Sequence, residues 1–228
     1  MRFPRPRVCH VGPKYTSQML FNWSAECSAD DPVLVVPWSS DSSSDSDSDQ
    51  SISSPTSHFI DLRDDSNAAE DIPEAEGHPP LIQALRALNA PRSSLFTAKC
   101  DAWTIDDPAE LETLRLDLDL PEADAATGFA SYIDLLWRDR TIFASFHQHE
   151  HLVHRLARRA APADHTFALL DCVIRPALLD LAGPQEGFAL TLYVKALGPN
   201  EPLALASWSS ALETAVAILR SKDLTPNT

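Results

Sequence analysis

Phe188-Ala189-Leu190-Thr191-Leu192-Tyr193-Val194 is the stretch of sequence that decides the fold. If this stretch forms a β-strand, apolar side chains lie on both of its faces, which predicts a position in the centre of a sheet. Residues 167–181 precede it, and segment 183–187, with a glycine at each end, separates the two. We therefore expect a β-hairpin with a long turn. The first arm also fits a helical spacing, to which Pro176 is an objection.

Further strands are predicted from alternating residues and from short β-branched runs. The clearest signal is at residues 112–120, where four leucines alternate with three charged residues. This alternation favours a second hairpin with residues 95–105. The predicted strands lie near residues 17–25, 33–37, 59–62, 95–105, 112–120, 167–175 and 188–197.

Helical spacing is longest over residues 125–161, which contain no proline and a single glycine. This segment fits either one helix of about 50 Å or two helices with a break near Asp139. A C-terminal helix is expected over residues 202–222, and a shorter one begins at His78 and ends at Asn89. Together these elements predict an α+β fold. It is a single domain whose largely antiparallel sheet packs, on one face, against the long helix and the C-terminal helix.

The domain has a low-complexity insertion. Residues 39–57 contain eleven serines, four aspartates and almost nothing apolar. Such a composition cannot bury enough apolar surface to offset the entropy of ordering, so we expect a disordered Ser/Asp-rich insert. Residues 1–38 would then supply the N-terminal strands, and residues 58–228 the main α+β body.

Charge and cysteine content indicate which ligands and which cellular compartment to expect. The formal net charge is −15, which disfavours binding to nucleic acid because an acidic chain repels phosphates. The four cysteines are widely spaced and include no C-x-x-C pair, as expected of reduced thiols in the cytoplasm. Neither a signal-peptide core nor a run of about 20 apolar residues is found, so we expect no membrane span.

Ser145-Phe146-His147-Gln148-His149-Glu150-His151-Leu152-Val153-His154 holds four of the eight histidines. At 100° per residue, His147, His151 and His154 lie on one strip beside the apolar face, at i, i+4 and i+7. His149 falls among the core positions, and Glu150 leans inward. Imidazoles on adjacent turns can bind one ion, so the strip is a candidate metal site.

The segment from His147 to His151 also resembles H-x-x-E-H, the inverted zinc motif of the inverzincin metalloproteases. The resemblance implies that His147 and His151 bind zinc and that Glu150 is the general base that activates water. It further implies an acidic third ligand downstream, for which Glu213 is the candidate. The resulting hypothesis is a metal-dependent hydrolase, with zinc as its cofactor.

Neighbouring arginines favour a different interpretation of the same helix. Arg140, Arg155, Arg158 and Arg159 make it basic, and nearby positive charge disfavours cation binding. The chain contains neither a Gly-rich phosphate loop nor a nucleophile elbow, so no other cofactor is predicted. We therefore expect a cytoplasmic, non-catalytic protein that acts through a macromolecular partner, whose acidic surface would face the basic His/Arg helix. A pH switch through the clustered histidines is a third hypothesis.

Overall fold

The computed structural model describes residues 19–28, 30–37, 59–163, 165 and 167–221. Six strands form one sheet. They are β1 (Leu20–Ala25), β2 (Leu34–Val36), β3 (Leu95–Ile105), β4 (Thr127–Trp137), β5 (Ala168–Leu179) and β6 (Gln185–Gly198). The order in the sheet is β1-β5-β6-β4-β3, and β2 also pairs with β5. Strand β6, which contains the apolar stretch 188–194, is the central strand, as predicted.

The pairing of the strands is largely antiparallel. β5 and β6 form the predicted hairpin, with Cys172 opposite Leu192. β4 pairs with both β6 and β3 in the antiparallel sense, and its register with β3 shifts between Thr97 and Cys100. Only β1 and β2 run parallel to their partner, β5. The α+β fold class is therefore confirmed.

Five α-helices accompany the sheet in the described part of the chain. They are α1 (Pro79–Asn89), α2 (Pro108–Asp117), α3 (Arg140–Phe143), α4 (Phe146–Ala160) and α5 (Glu201–Leu219). Three short 3-10 segments lie at Ser66–Asp71, Pro73–Ala75 and Glu122–Asp124. Helix α5 begins where the Asn200 side chain accepts a hydrogen bond from the Leu203 amide, so an N-cap sets its start. Helices α1 and α5 match their predicted positions.

The helices lie on both faces of the sheet. On β4, Phe129 packs against Trp208 of α5, with ring centroids 4.8 Å apart. Its neighbour Gly128 lies against Leu111 of α2, which leaves no room for a side chain there. Because successive residues of a strand point to opposite faces, α2 and α5 lie on opposite faces. The main core is shared by α1, α4 and α5, whereas α2 covers a smaller apolar cluster.

Helix α5 is also long and apolar enough, by length and composition alone, to cross a membrane. In the structure, seven of its residues are buried. The buried Trp208 indole donates a hydrogen bond to the Ser131 hydroxyl of β4 at 2.9 Å. Core helices of folded domains satisfy the same length and composition criteria.

The strand predicted over residues 112–120 is wrong, because residues 112–117 belong to helix α2. Asp107 accepts a hydrogen bond from the Ala109 amide, and Pro108 occupies the first turn. Both are helix-start signals that compete with the alternating leucines. Of those leucines, Leu114 is buried and Leu116 is 61% exposed. The antiparallel partner of β3 is instead β4, and helix α2 lies in the connection between the two strands.

The long helix predicted over residues 125–161 is also wrong in its first part, which is strand β4. This strand lies between β3 and β6 and is buried on both faces, so its apolar residues show no alternation. Near Asp139, where the alternative prediction placed a break between two helices, the structure has the boundary between strand β4 and helix α3. The Asp139 side chain caps α3 by accepting hydrogen bonds from the Thr141 and Ile142 amides.

Four other predictions concern the N-terminal part of the chain. Residues 59–62 form no strand, although Leu62 is buried in the main core. The strands expected near 17–25 and 33–37 are present as β1 and β2. The Ser/Asp-rich insert at residues 39–57 lies outside the described residues.

Candidate functional site: the outer face of helix α4

Helix α4 carries all of the site residues predicted from the sequence. It spans 15 residues, and Arg158 and Arg159 lie in its last turn, where positive charge stabilises the helix dipole. Ser145 is the N-cap residue, and its carbonyl oxygen accepts the Gln148 amide at 3.1 Å. The inner side of the helix packs on the sheet and consists of His149, Leu152, Val153, Leu156 and Ala160.

His149 lies in the core, as its projection on the helix predicts. It is fully buried, and its Nδ1 is 2.9 Å from the Ser145 carbonyl oxygen. Its ring packs against Phe188 of β6 with centroids 6.0 Å apart. Burial lowers the pKa of His149, and the hydrogen bond to the Ser145 backbone opposes this shift. Nε2 makes no hydrogen bond to any described group. His149 is therefore a core residue and not an outward-facing ligand.

The opposite side of α4 presents a strip of exposed side chains, which we name the His/Arg face. It consists of His147, His151, His154 and Arg158, each of them exposed. The strip follows the i, i+4, i+7 and i+11 spacing, so its members lie along one side of about three turns. The three histidines predicted to share a strip therefore do so.

Two contacts hold members of the His/Arg face. His147 Nδ1 lies 3.1 Å from Glu150 Oε2, and its side chain is 83% exposed. The Glu150 side chain is 34% exposed, so it lies at the border of the packed side, as its inward projection suggests. The ring of His154 packs edge-on against Trp23 of β1, with centroids 5.3 Å apart. The middle of the strip is therefore anchored to the sheet edge.

The described residues do not complete the zinc site that the H-x-x-E-H motif implies. Among them, no group of three or more His, Cys, Asp or Glu side chains is arranged to hold a metal ion. Glu213, the candidate third ligand, is exposed on α5 and does not join His147 and His151 in such a group. The metal-dependent hydrolase stays a prediction, with its motif on a helix surface.

The charge of α4 differs in sign from that of the whole chain. The helix contains three arginines and one glutamate, whereas the chain has a formal net charge of −15. A helix of net positive charge on an acidic protein is the electrostatic feature that distinguishes this surface.

Sequence reasoning missed a second polar feature, on the sheet face that carries α2. The Thr191 hydroxyl donates to Asp134 Oδ1 at 2.5 Å, and the two residues are 1% and 4% exposed. Burial raises the pKa of Asp134, and the hydrogen bond from Thr191 opposes this shift. On the same face, Tyr132 of β4 lies opposite Tyr193 of β6, with ring centroids 5.9 Å apart. Burial raises the pKa of Tyr132 to about 12, with a further contribution from the Asp134 charge.

A sequence signal for this polar pair existed. Thr191 is the only non-aromatic polar residue in the apolar stretch 188–194, and Asp134 interrupts an apolar run in β4. A buried polar residue needs a partner, so two such residues on neighbouring strands were candidates for pairing. Only the antiparallel register, which places Asp134 opposite Thr191, identifies the pair.

One surface depression lies beside α2. Its volume is about 740 Å³, it is open to solvent, and the Glu112–Arg115 ion pair lies on its wall. The remaining lining residues are mostly apolar: Pro108, Leu111, Glu122, Ala123, Ala125 and Ala126. No sequence-predicted site residue lines it.

Fold and site together define a class of protein no finer than an α+β domain with an exposed basic helix. Comparisons with protein-family models, with curated proteins and with solved structures find no match to this chain.

Proposed function

We propose that the protein acts by binding an acidic surface of a partner protein through the His/Arg face of α4. The observation that carries the proposal is the alignment of three exposed histidines and Arg158 on one side of a helix in a chain of net charge −15. Opposite charges on facing surfaces accelerate encounter and select the orientation of the two proteins. A polyanionic nucleic acid would instead be repelled by the rest of the chain.

The dimensions of α4 suit a role as the centre of such an interface. Fifteen residues extend about 22 Å at 1.5 Å per residue. A standard interface buries about 800 Å² on each partner, more than one helix face provides, so flanking residues would also contribute. Arginine is enriched among the residues that dominate interface energies. We therefore expect Arg158 to be the main anchor.

We also propose that this interaction takes place in the cytoplasm. Cys27, Cys100 and Cys172 are free thiols in the described part of the chain. Unpaired cysteines are typical of a reducing compartment.

Charge reversal on the strip tests the proposal. Arg158→Glu introduces repulsion against an acidic partner, and Arg92→Glu makes the same change at an exposed arginine between α1 and β3. Partners captured from cell extract by the wild-type protein would be identified, purified and titrated against each variant. We expect Arg158→Glu to weaken affinity at least about tenfold, which corresponds to about 1.4 kcal/mol, and Arg92→Glu to leave it unchanged.

Salt supplies a second arm of the same experiment. Raising ionic strength from about 0.05 M to about 0.5 M shortens the screening length severalfold, so the wild-type affinity should fall. Capture of free monomer only, or a partner that binds the wild type and Arg158→Glu equally, would reject the proposal.

A further inference from the structure

His147 and His151 form a separate feature within the His/Arg face, because they lie one helical turn apart. Both side chains are exposed. At i, i+4, their Cβ atoms are about 6 Å apart, which lets two imidazoles reach one ion between them. Paired histidines at this spacing on one helix face are a recurring element of zinc sites. The pair therefore has the helical spacing of a two-histidine chelate.

Glu150 fixes how His147 presents its ring. With Oε2 of the carboxylate 3.1 Å from Nδ1, that nitrogen carries the proton, since a carboxylate only accepts hydrogen bonds. The neutral ring then bears its lone pair on Nε2, which is the nitrogen directed away from Glu150. A carboxylate behind a metal-binding histidine is the usual way in which proteins set the tautomer and raise the basicity of the ligand.

We propose that His147, through Nε2, and His151 bind one divalent transition-metal ion of the copper, nickel or zinc class, with water in the remaining positions. Glu150 acts as a positioning residue for His147. This inference goes beyond the proposed function, because its ligand is an ion and it requires no partner protein. It also differs from the predicted hydrolase, since Glu150 orients a ligand and is not the base for a water molecule.

The coordination chemistry makes the inference specific. Affinity for nitrogen ligands rises from Co²⁺ through Ni²⁺ to Cu²⁺ and is lower again for Zn²⁺. A ligating imidazole binds through an unprotonated nitrogen, so acid should weaken metal binding. His154 serves as the matched control, because it lies on the same strip but its ring packs against Trp23.

The test is calorimetric titration of the full chain, without an affinity tag, with Cu²⁺ and separately with Zn²⁺. We expect one ion per chain, with Cu²⁺ the tighter of the two. His147→Ala and His151→Ala should each weaken binding more than tenfold, and His154→Ala should leave it unchanged. Alanine at exposed helix positions preserves folding, which circular dichroism would verify.

Glu150→Gln tests the positioning role. Loss of a partner behind a metal ligand typically costs about 10- to 100-fold in affinity. We expect a loss in that range at unchanged stoichiometry and unchanged thermal unfolding. Imidazole ¹⁵N shifts should report the proton of His147 on Nδ1 in the wild type and a mixture of tautomers in the variant.

Three results would overturn the inference. They are absence of binding to the wild type, equal binding by the wild type and both single alanine variants, and a His154→Ala variant as weak as His147→Ala. Repeating the partner capture with a chelator present keeps the two proposals separate. If the chain binds no metal, partner capture in the chelator should still succeed. If no partner is captured, the metal titration still stands by itself.

Discussion

The buried histidine of α4 makes the stability of the protein depend on pH. His149 is fully enclosed, and burial lowers its pKa below the ordinary value. An unfolded chain exposes the same ring, with a pKa of about 6.5. Between the lowered and the ordinary pKa, the unfolded state therefore binds one more proton than the folded state. Stability from this residue is fully present above about pH 6.5 and is lost as the pH falls below it.

The size of the effect follows from a single proton. One titrating group changes the unfolding free energy by at most about 1.4 kcal/mol per pH unit. A change from about pH 7.5 to about pH 5.5 ends one unit below the ordinary histidine pKa, and only that last unit contributes. The loss of unfolding free energy is therefore at most about 1.4 kcal/mol. For a chain of this size, about 1 kcal/mol shifts the melting temperature by about 2–4 °C.

Urea denaturation at several pH values measures the slope, and a matched variant isolates it. His149→Leu fills a similar volume and removes the titrating ring. The Ser145 carbonyl keeps the Gln148 amide as a hydrogen-bond donor. As the pH falls, the unfolding free energy of the wild type should decrease more than that of His149→Leu. Carboxyls with raised pKa values, such as those of buried Asp134 and half-buried Asp171, contribute to both proteins and cancel in this difference.

His151→Ala is the control on the exposed side of the same helix. It should retain the wild-type pH slope, because the buried ring is unchanged. A parallel pair of stability curves for the wild type and His149→Leu across about pH 5.5 to 7.5 would refute the reasoning. Burial would then have no measurable cost for the protonated ring.

Three further substitutions test how the core supports the site, each by urea denaturation. Trp208→Phe removes the indole donor and leaves a buried serine hydroxyl of β4 without it, which should cost about 1–3 kcal/mol; an unchanged midpoint would contradict this. Gly187→Ala places a Cβ 2.5 Å from the Phe143 ring and 2.6 Å from its carbonyl oxygen, so we expect a loss of about 1–3 kcal/mol; wild-type stability would show that α3 can move freely. Thr191→Val leaves the buried Asp134 carboxyl without its hydroxyl donor and should cost about 1–3 kcal/mol; full stability would mean that water replaces the donor.

Part of the candidate site was accessible from the helical projection alone. A rotation of 100° per residue places His149 inside and His147, His151 and His154 together outside, and the structure agrees. The contact between His147 and Glu150 also follows from their i, i+3 spacing. The contact of His154 with Trp23 does not, because it joins a helix to a strand more than a hundred residues away in the chain.

The polar pair on the other sheet face shows where local patterns stop being informative. Asp134 and Thr191 are 57 residues apart and meet only because β4 and β6 are adjacent in one particular register. A shift of one residue would turn both side chains to other neighbours. The sequence indicates that each polar residue needs a partner but does not identify which one.

By itself, the sequence determined the elements whose signals are local and uncontested. These are the apolar central strand at 188–194, the hairpin that contains it, the C-terminal helix and the histidine strip of α4. Tertiary structure alone decided that residues 127–137 form a strand, since burial on both faces removes the alternation that distinguishes a strand from a buried helix. It also decided that residues 112–117 belong to a helix, because a capped segment packed on one face of the sheet buries Leu114 and leaves Leu116 in solvent. Local patterns indicate which side chains avoid water, whereas only the assembled sheet determines which neighbours exclude that water.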